Sequence, residues 1–192
     1  MENTEYYDGY RSLFLSLKEI IKETEQQAIL EENEFFNKNI NFFVKSYLIT
    51  LCTYLESYLT EVATWHCDTI NRRLKAACLP HNFLLWRVKK DVKDKELKYI
   101  DADLKVDKSE VSDSLSGNPY KTIKAFSYLG VNLLNSAEFN ANKDVVNAVV
   151  VKRNNIIHHN DNANDISLTD VSGYVDLFVS YMAAIDNMVC GK

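Results

Sequence analysis

Apolar residues recur at intervals of three and four along most of the chain. From Tyr6 to about Glu31, Tyr10, Leu13, Leu17, Ile20 and Ile21 share one side while Lys18, Lys22, Glu23 and Glu25 take the other, which predicts an amphipathic helix. A longer segment from about Glu34 to Ala77 keeps helical spacing through Val44, Leu48, Leu51, Leu55, Tyr58, Leu59 and Val62. Pro80 closes or kinks it near Cys78, because the residue before a proline avoids the α region. Tyr54 and Tyr58 read as core aromatics.

From His81 to Tyr99 the pattern weakens but stays mostly helical, and Asp101 to Gly117 is polar and aperiodic, as expected of a surface loop. Asn118 and Pro119 pair an N-cap with a proline at the first helical position, and a helix is expected from there to about Leu134. Asn140 or Asn142 can cap the next helix, which carries Val145, Val146, Val149, Ile156 and Ile157. The β-branched run Val149 to Val151 also suits a strand, but the spacing Val145, Val149, Lys152, Ile156 fits a helix better and no strand partner is near. His159 to Asp165 is a breaker rich in Asn and Asp, whose side chains bond their own backbone. Ser167 and Asp170 resemble a capping box, and a last helix runs to about Val189 with Val171, Val175, Phe178, Val179, Met182 and Ile185 facing inward.

Composition supports the helical reading. Only five Gly and two Pro occur in 192 residues, too few for a turn-rich β fold or for glycine-rich phosphate loops. The expectation is an all-α antiparallel bundle of five or more helices. It forms a single domain over residues 1–192, with an inserted basic segment and loop at about 80–118. Lys45, Glu56 and Glu61 rule out a membrane span in the long helix, and no apolar run approaches the roughly 20 residues that a span needs. The acidic start lacks the basic region of a signal peptide, and Cys52, Cys67, Cys78 and Cys190 form no CxxC pair, so a cytoplasmic protein with free thiols is expected.

The net charge of −5 gives the whole molecule no general attraction for nucleic acid. The charge is unevenly spread, however. Arg72 to Lys98 carries nine Lys or Arg against three acids, a local +6, and the remainder carries −11. A solvated charged face explains such a segment as well as an RNA-binding surface does. If it binds phosphate, Arg72, Arg73, Arg87, Lys89, Lys90 and Lys93 are the residues expected to do so. Phe83 and Trp86 suit base stacking, though core packing is the plainer expectation.

Motifs for phosphate loops, zinc proteases and serine hydrolases are absent, and no spaced set of carboxylates occurs. His66, Cys67 and Cys78 make a poor metal set, since adjacent helix residues point about 100° apart and no fourth ligand is evident. No metal or cofactor is expected. One cluster stands apart: Lys152, Arg153, Asn154, Asn155, Ile156, Ile157, His158, His159 and Asn160. Cations at a helix C-terminus are ordinarily explained by the macrodipole. Arg153, however, lies about 40° from Val149 on a straight helix, toward the apolar face, and a buried-side arginine needs partners from another helix or another subunit.

Arg153, the polar Asn154 after it, and His158 beyond four intervening residues form an R-x4-H pattern that resembles the HEPN superfamily (higher eukaryotes and prokaryotes nucleotide-binding), in its bacterial ribonuclease and toxin-like branch. The motif ends the penultimate long helix, as in that superfamily, and the stretch Tyr47 to Glu56 is similar to its long core helix. The resemblance implies a metal-independent endoribonuclease, often a toxin or phage-defence component, with the Arg and His of two subunits meeting in a dimer cleft. It makes Arg153, Asn154 and His158 the expected catalytic residues, with His159 as a possible accessory. RNA is the implied partner, with an antitoxin or defence-system protein possible besides. Asn160 stands where paired toxins of the superfamily carry a modified Tyr, so that control is not carried over. The alternative is a non-catalytic HEPN module that binds nucleotide, RNA or a protein. A third reading, a plain helical interaction domain, is favoured only if Arg153 is salt-bridged internally.

Overall fold

Thr4 opens the first helix by accepting the Tyr7 N–H on its hydroxyl at 3.1 Å. The helix it caps, α1 (Glu5–Glu25), runs into a π turn over Gln26–Leu30. There follow α2 (Glu34–Lys38), α3 (Ile40–Ala76), α4 (His81–Val88), α5 (Lys108–Ser114), α6 (Pro119–Tyr128), α7 (Ala137–His159) and α8 (Leu168–Val189). This computed structural model describes residues 3–30 and 32–191. Among them there are eight α-helices and no strand, only an isolated bridge between Pro80 and Asp101. No described helix is long and apolar enough to cross a membrane.

The four long helices α1, α3, α7 and α8 enclose the core, with Phe14, Leu48, Leu55, Tyr58, Phe178 and Met182 fully buried. Cross-links fix their directions. Thr4 meets Asp186, Lys18 meets Asp176 and Thr169 meets Glu25, so α8 runs antiparallel to α1. Arg153 meets Glu56 and Ala163 meets Asn41, so α7 and its following turn run antiparallel to α3. Valines 149 to 151 are helical, as their spacing predicts.

Several boundaries differ from expectation, each for a local reason. The segment from Glu34 is two helices, because the Asn39 side chain bonds the Phe35 carbonyl and competes with the helix ladder. The helix from Pro119 stops at Tyr128. Gly130 adopts φ 77°, and the Gly130 and Val131 N–H groups turn back to the Ser127 and Phe126 carbonyls in a Schellman closure. Ser136, and neither Asn140 nor Asn142, caps α7 through the Phe139 N–H at 3.2 Å. The expected loop at 101–117 contains α5, nucleated by a capping box between Asp107 and Glu110 and anchored by buried Val111. Helix beyond Pro80 ends at Val88, short of Tyr99. The buried stripe of α1 is Tyr7, Phe14, Leu17 and Ile21, which turns Leu13 and Ile20 outward; Val145 and Ile157 of α7 are likewise exposed. The capping box of Ser167 and Asp170 is present.

Asp186, buried in α8, ties three parts of the bundle together. Its carboxylate accepts the Thr4 N–H at 3.0 Å and the Thr4 hydroxyl, and the Tyr58 hydroxyl reaches it at 3.4 Å while also donating to the Met182 carbonyl at 3.1 Å. Burial, reinforced by Asp186, pushes the Tyr58 phenol well above its ordinary value, so it stays protonated and donates. Asp186→Ala removes these acceptors from buried donors. It should lower unfolding stability by about 3 kcal/mol in urea titrations, given the cost of unsatisfied buried groups. A loss below about 0.5 kcal/mol would show that the N-terminal tie contributes nothing.

Candidate active site

Helix α7 ends where its sequence says it must. Asn160 takes the left-handed conformation, φ 50° and ψ 36°, which Asn tolerates better than most residues, and its N–H bonds back to the Asn155 carbonyl. Lys152 then reaches across the turn to Asp161 at 3.1 Å and Asp165 at 2.8 Å, and the Ala163 N–H bonds Asn41 of α3 at 2.9 Å. The breaker is folded back and pinned, so the motif sits on a regular helix with a fixed end.

Arg153 points into the bundle beside buried Val149 and Ile156, with its side chain 14% exposed. Its Nη2 donates to Glu56 Oε1 on α3, and the Gly117 N–H donates to the same oxygen at 3.2 Å. Cys52, one turn before Glu56, lies against the guanidinium. Burial pushes its thiol up to about 11, and the Arg153 charge and hydrogen bond only partly offset that, so Cys52 is a neutral thiol near pH 7 and no nucleophile. The Nε of Arg153 is buried without a hydrogen-bond partner. Glu56 also borders an open groove of about 440 Å³ lined by Tyr10, Thr53, Ser57, Lys108 and Leu115. The guanidinium is thus held between Glu56 and Cys52, and Glu56 in turn forms part of the groove wall.

His158 and His159 are exposed at the last turn of α7, and Asn154 is half-buried one turn before His158. No hydrogen bond joins Asn154 to His158 among the described residues. Because α7 stays regular to His159, five residues separate the directions of Arg153 and His158 by about 140°. One chain therefore places the two on different sides of the same helix.

Arg72 and Arg73 lie on the last turns of α3, Arg87 on α4, and Lys89, Lys90 and Lys93 in the irregular stretch beyond it. None of them is brought to the motif: sixteen residues of α3 between Glu56 and Arg72 amount to about 24 Å. Phe83 and Trp86 do not pack in the core; they are 48% and 61% exposed. His66 bonds the Leu129 carbonyl at 3.2 Å, Cys67 is buried and Cys78 is exposed, so these three do not converge. No group of three or more His, Cys, Asp or Glu able to hold a metal ion occurs among the described residues.

Glu56 is the site residue that sequence reasoning passed over. It closes the Tyr47 to Glu56 stretch, and a buried-side arginine demands a carboxylate. What the sequence lacked was the register of α3 against α7, which chooses among Glu56, Glu61 and Asp68. The internal ion pair at Arg153 is the outcome that favours a plain helical interaction domain.

The RiboL-PSP-HEPN family model matches residues 13–191. No curated protein and no solved structure is significantly similar to the chain.

The packing of α3 on α7 at Arg153 can be checked through the thiols. Alkylation at pH 8 followed by peptide mapping should label exposed Cys78 first, and Cys52 only when denaturant is added. Labelling of Cys52 at the rate of Cys78 would show that the two helices part at the ion pair.

Proposed function

The chain belongs to the RiboL-PSP-HEPN family, and on that premise we propose that it is a metal-independent endoribonuclease acting on cellular RNA in a toxin–antitoxin or phage-defence setting. HEPN domains are generally associated with ribonuclease activity. In this reading residues 1–192 form one domain into which residues 80–118 are inserted, and the protein works in the cytoplasm.

The chemistry follows from RNA itself, which carries its nucleophile as the 2′-OH. The enzyme has to move two protons and stabilise the charge that develops on phosphorus oxygens. His158, exposed at the helix end, is the general acid or base. Arg153 supplies the positive charge that holds a non-bridging oxygen. Asn154 orients the substrate or the imidazole, and His159 is a spare imidazole within reach of the same strand. Glu56 and the Gly117 N–H fix the arginine before substrate arrives, which lowers the cost of ordering a long side chain. The observation that carries the reading is Arg153 fixed by Glu56, a wall residue of an open groove, on the same helix that exposes His158 at its end.

The Glu56–Arg153 pair itself supports a second reading, a non-catalytic HEPN module in which the pair joins α3 to α7 and partners bind elsewhere. Product chemistry separates the two. The purified protein should cleave single-stranded RNA in EDTA and leave a 2′,3′-cyclic phosphate or its 3′-phosphate product. Arg153→Ala and His158→Ala should each lower the rate by at least about 10²-fold, the usual loss for a charge-stabilising or proton-transferring group. Strict dependence on a divalent ion, 3′-hydroxyl ends, or full activity in either variant would sink the mechanism.

A divergence of 140° within one chain points to a homodimer in which each Arg153 faces the His158 of its partner across a two-fold axis. Arg153→Ala and His158→Ala chains, inactive alone, should regain activity when co-expressed, because the mixed dimer keeps one complete pair. Continued inactivity of the mixture, or cleavage by a protein that sediments as a monomer, would reject the composite site.

A further inference from the structure

The insertion holds aromatic rings out to solvent beside its cations. Phe83 and Trp86 fall three residues apart on α4, so they share a side, with ring centroids 6.2 Å apart. No residue of α4 is buried, and the Arg87 guanidinium lies over the Trp86 ring at 5.3 Å. Tyr99, in the returning stretch of chain, is exposed as well. This is no loose loop. The His81 N–H bonds the Ile100 carbonyl at 3.0 Å and the Ala102 N–H bonds the Leu79 carbonyl at 2.8 Å. Asn82 receives the Lys98 N–H, and Asn71 of α3 bonds both Asp103 and the Leu104 N–H.

Charge decides what such a surface fits. Within the +6 segment, Lys75 is neutralised by Asp103 and Lys89 by Glu96, while Arg72, Arg73, Lys90, Lys93, Lys95 and Lys98 make no ion pair among the described residues. Exposed rings interleaved with free cations, on a body that is otherwise acidic, suit a ligand offering π-faces and phosphates in alternation. Duplex RNA hides its base faces; a single strand presents them.

We propose that Arg72 to Lys98 forms a platform for single-stranded RNA, in which Phe83 and Trp86 stack on bases and the unpaired Lys and Arg hold phosphates. As a statement about the substrate strand it rests on the endoribonuclease reading; as a statement about binding it does not. The platform begins about 24 Å from Glu56 along α3. A strand kept at the roughly 3.4 Å stacked rise spans that distance in about seven nucleotides, and an extended strand does so in fewer.

The test uses the full chain and fluorescently labelled 2′-O-methyl RNA, which lacks the nucleophile, so binding is measured without cleavage. Replacing both rings (Phe83→Leu with Trp86→Leu) should weaken binding of a 20-nucleotide single strand by at least about tenfold, as expected for loss of base stacking. Binding of a duplex of equal length should be unchanged. Reversing Lys90, Lys93 and Lys95 to Glu should flatten the dependence of log affinity on log salt by about 0.7 for each phosphate no longer neutralised. On cleavable RNA the ring variant should raise KM for a 20-nucleotide substrate while sparing kcat, and leave a three-nucleotide substrate unaffected. Unchanged affinity and salt slope in both variants would overturn the platform. So would equal losses for duplex and single strand, or ring-dependent binding to anionic lipid vesicles with none to RNA. Ring-dependent binding by a chain that cleaves nothing would keep the platform and reject the nuclease; cleavage indifferent to both variants would do the reverse.

Discussion

A guanidinium drawn into a helical bundle has to meet a carboxylate there, and much of this fold's register follows from that requirement. Leaving a guanidinium unpaired on the buried side of α7 would cost several kcal/mol. Glu56 answers it from α3, and the pairing sets how far α7 slides along α3. The Gly117 N–H bonds the same carboxylate oxygen, so the chain returning from the insertion is placed by the same interaction. A Cβ at residue 117 would stand 3.2 Å from the Val150 side chain and 3.4 Å from Glu56, and only a glycine lets the backbone approach without displacing one of them. Three separate stretches of sequence therefore converge on one oxygen.

How much of this the sequence discloses depends on whether the cause is local. The capping box at Ser167, the break after His159 and the helical state of Val149 to Val151 are set within a few residues, and each is readable. The inward tilt of Arg153 follows from its angle to Val149 alone. Gly130 as a helix stop was also readable, since glycine just beyond a periodic segment is a stop signal, yet the apolar residues that follow it disguise the end of α6. The choice of Glu56 was not readable, because an antiparallel helix pair can slide by a turn without disturbing either stripe of apolar residues. Leu13 and Ile20 mislead for a related reason. Periodicity finds the amphipathic helix but leaves its rotation open by one position. The ring of Phe14 decides it, through the volume it fills between Tyr54 of α3 and Phe178 of α8.

Phe83 and Trp86 show the limit of the rule that large apolar residues go inside. The bundle fills its core with Phe14, Phe126, Phe139 and Phe178, and the insertion departs from the far end of α3 with no residue of α4 buried. The surroundings of the two rings, a net charge of +6 on a molecule of −5, then give exposure a consequence that burial would have hidden.

The geometry of α7 constrains any function built on its motif. A helix advances about 100° per residue, so groups five apart cannot converge on a small target while the helix persists, and Asn160 ends it only after His158 has been placed. Had the left-handed residue fallen at 155 or 156, the chain could have folded His158 back over Arg153 and closed a site within one molecule. Instead Lys152 clamps the turn beyond the motif to Asp161 and Asp165, and that holds the helix straight where bending would be needed. The same rigidity that keeps the two groups apart in one chain keeps each presented in a fixed direction. A two-fold axis turns a fixed divergence into convergence without any rearrangement, and a flexible motif would have to be ordered at each encounter.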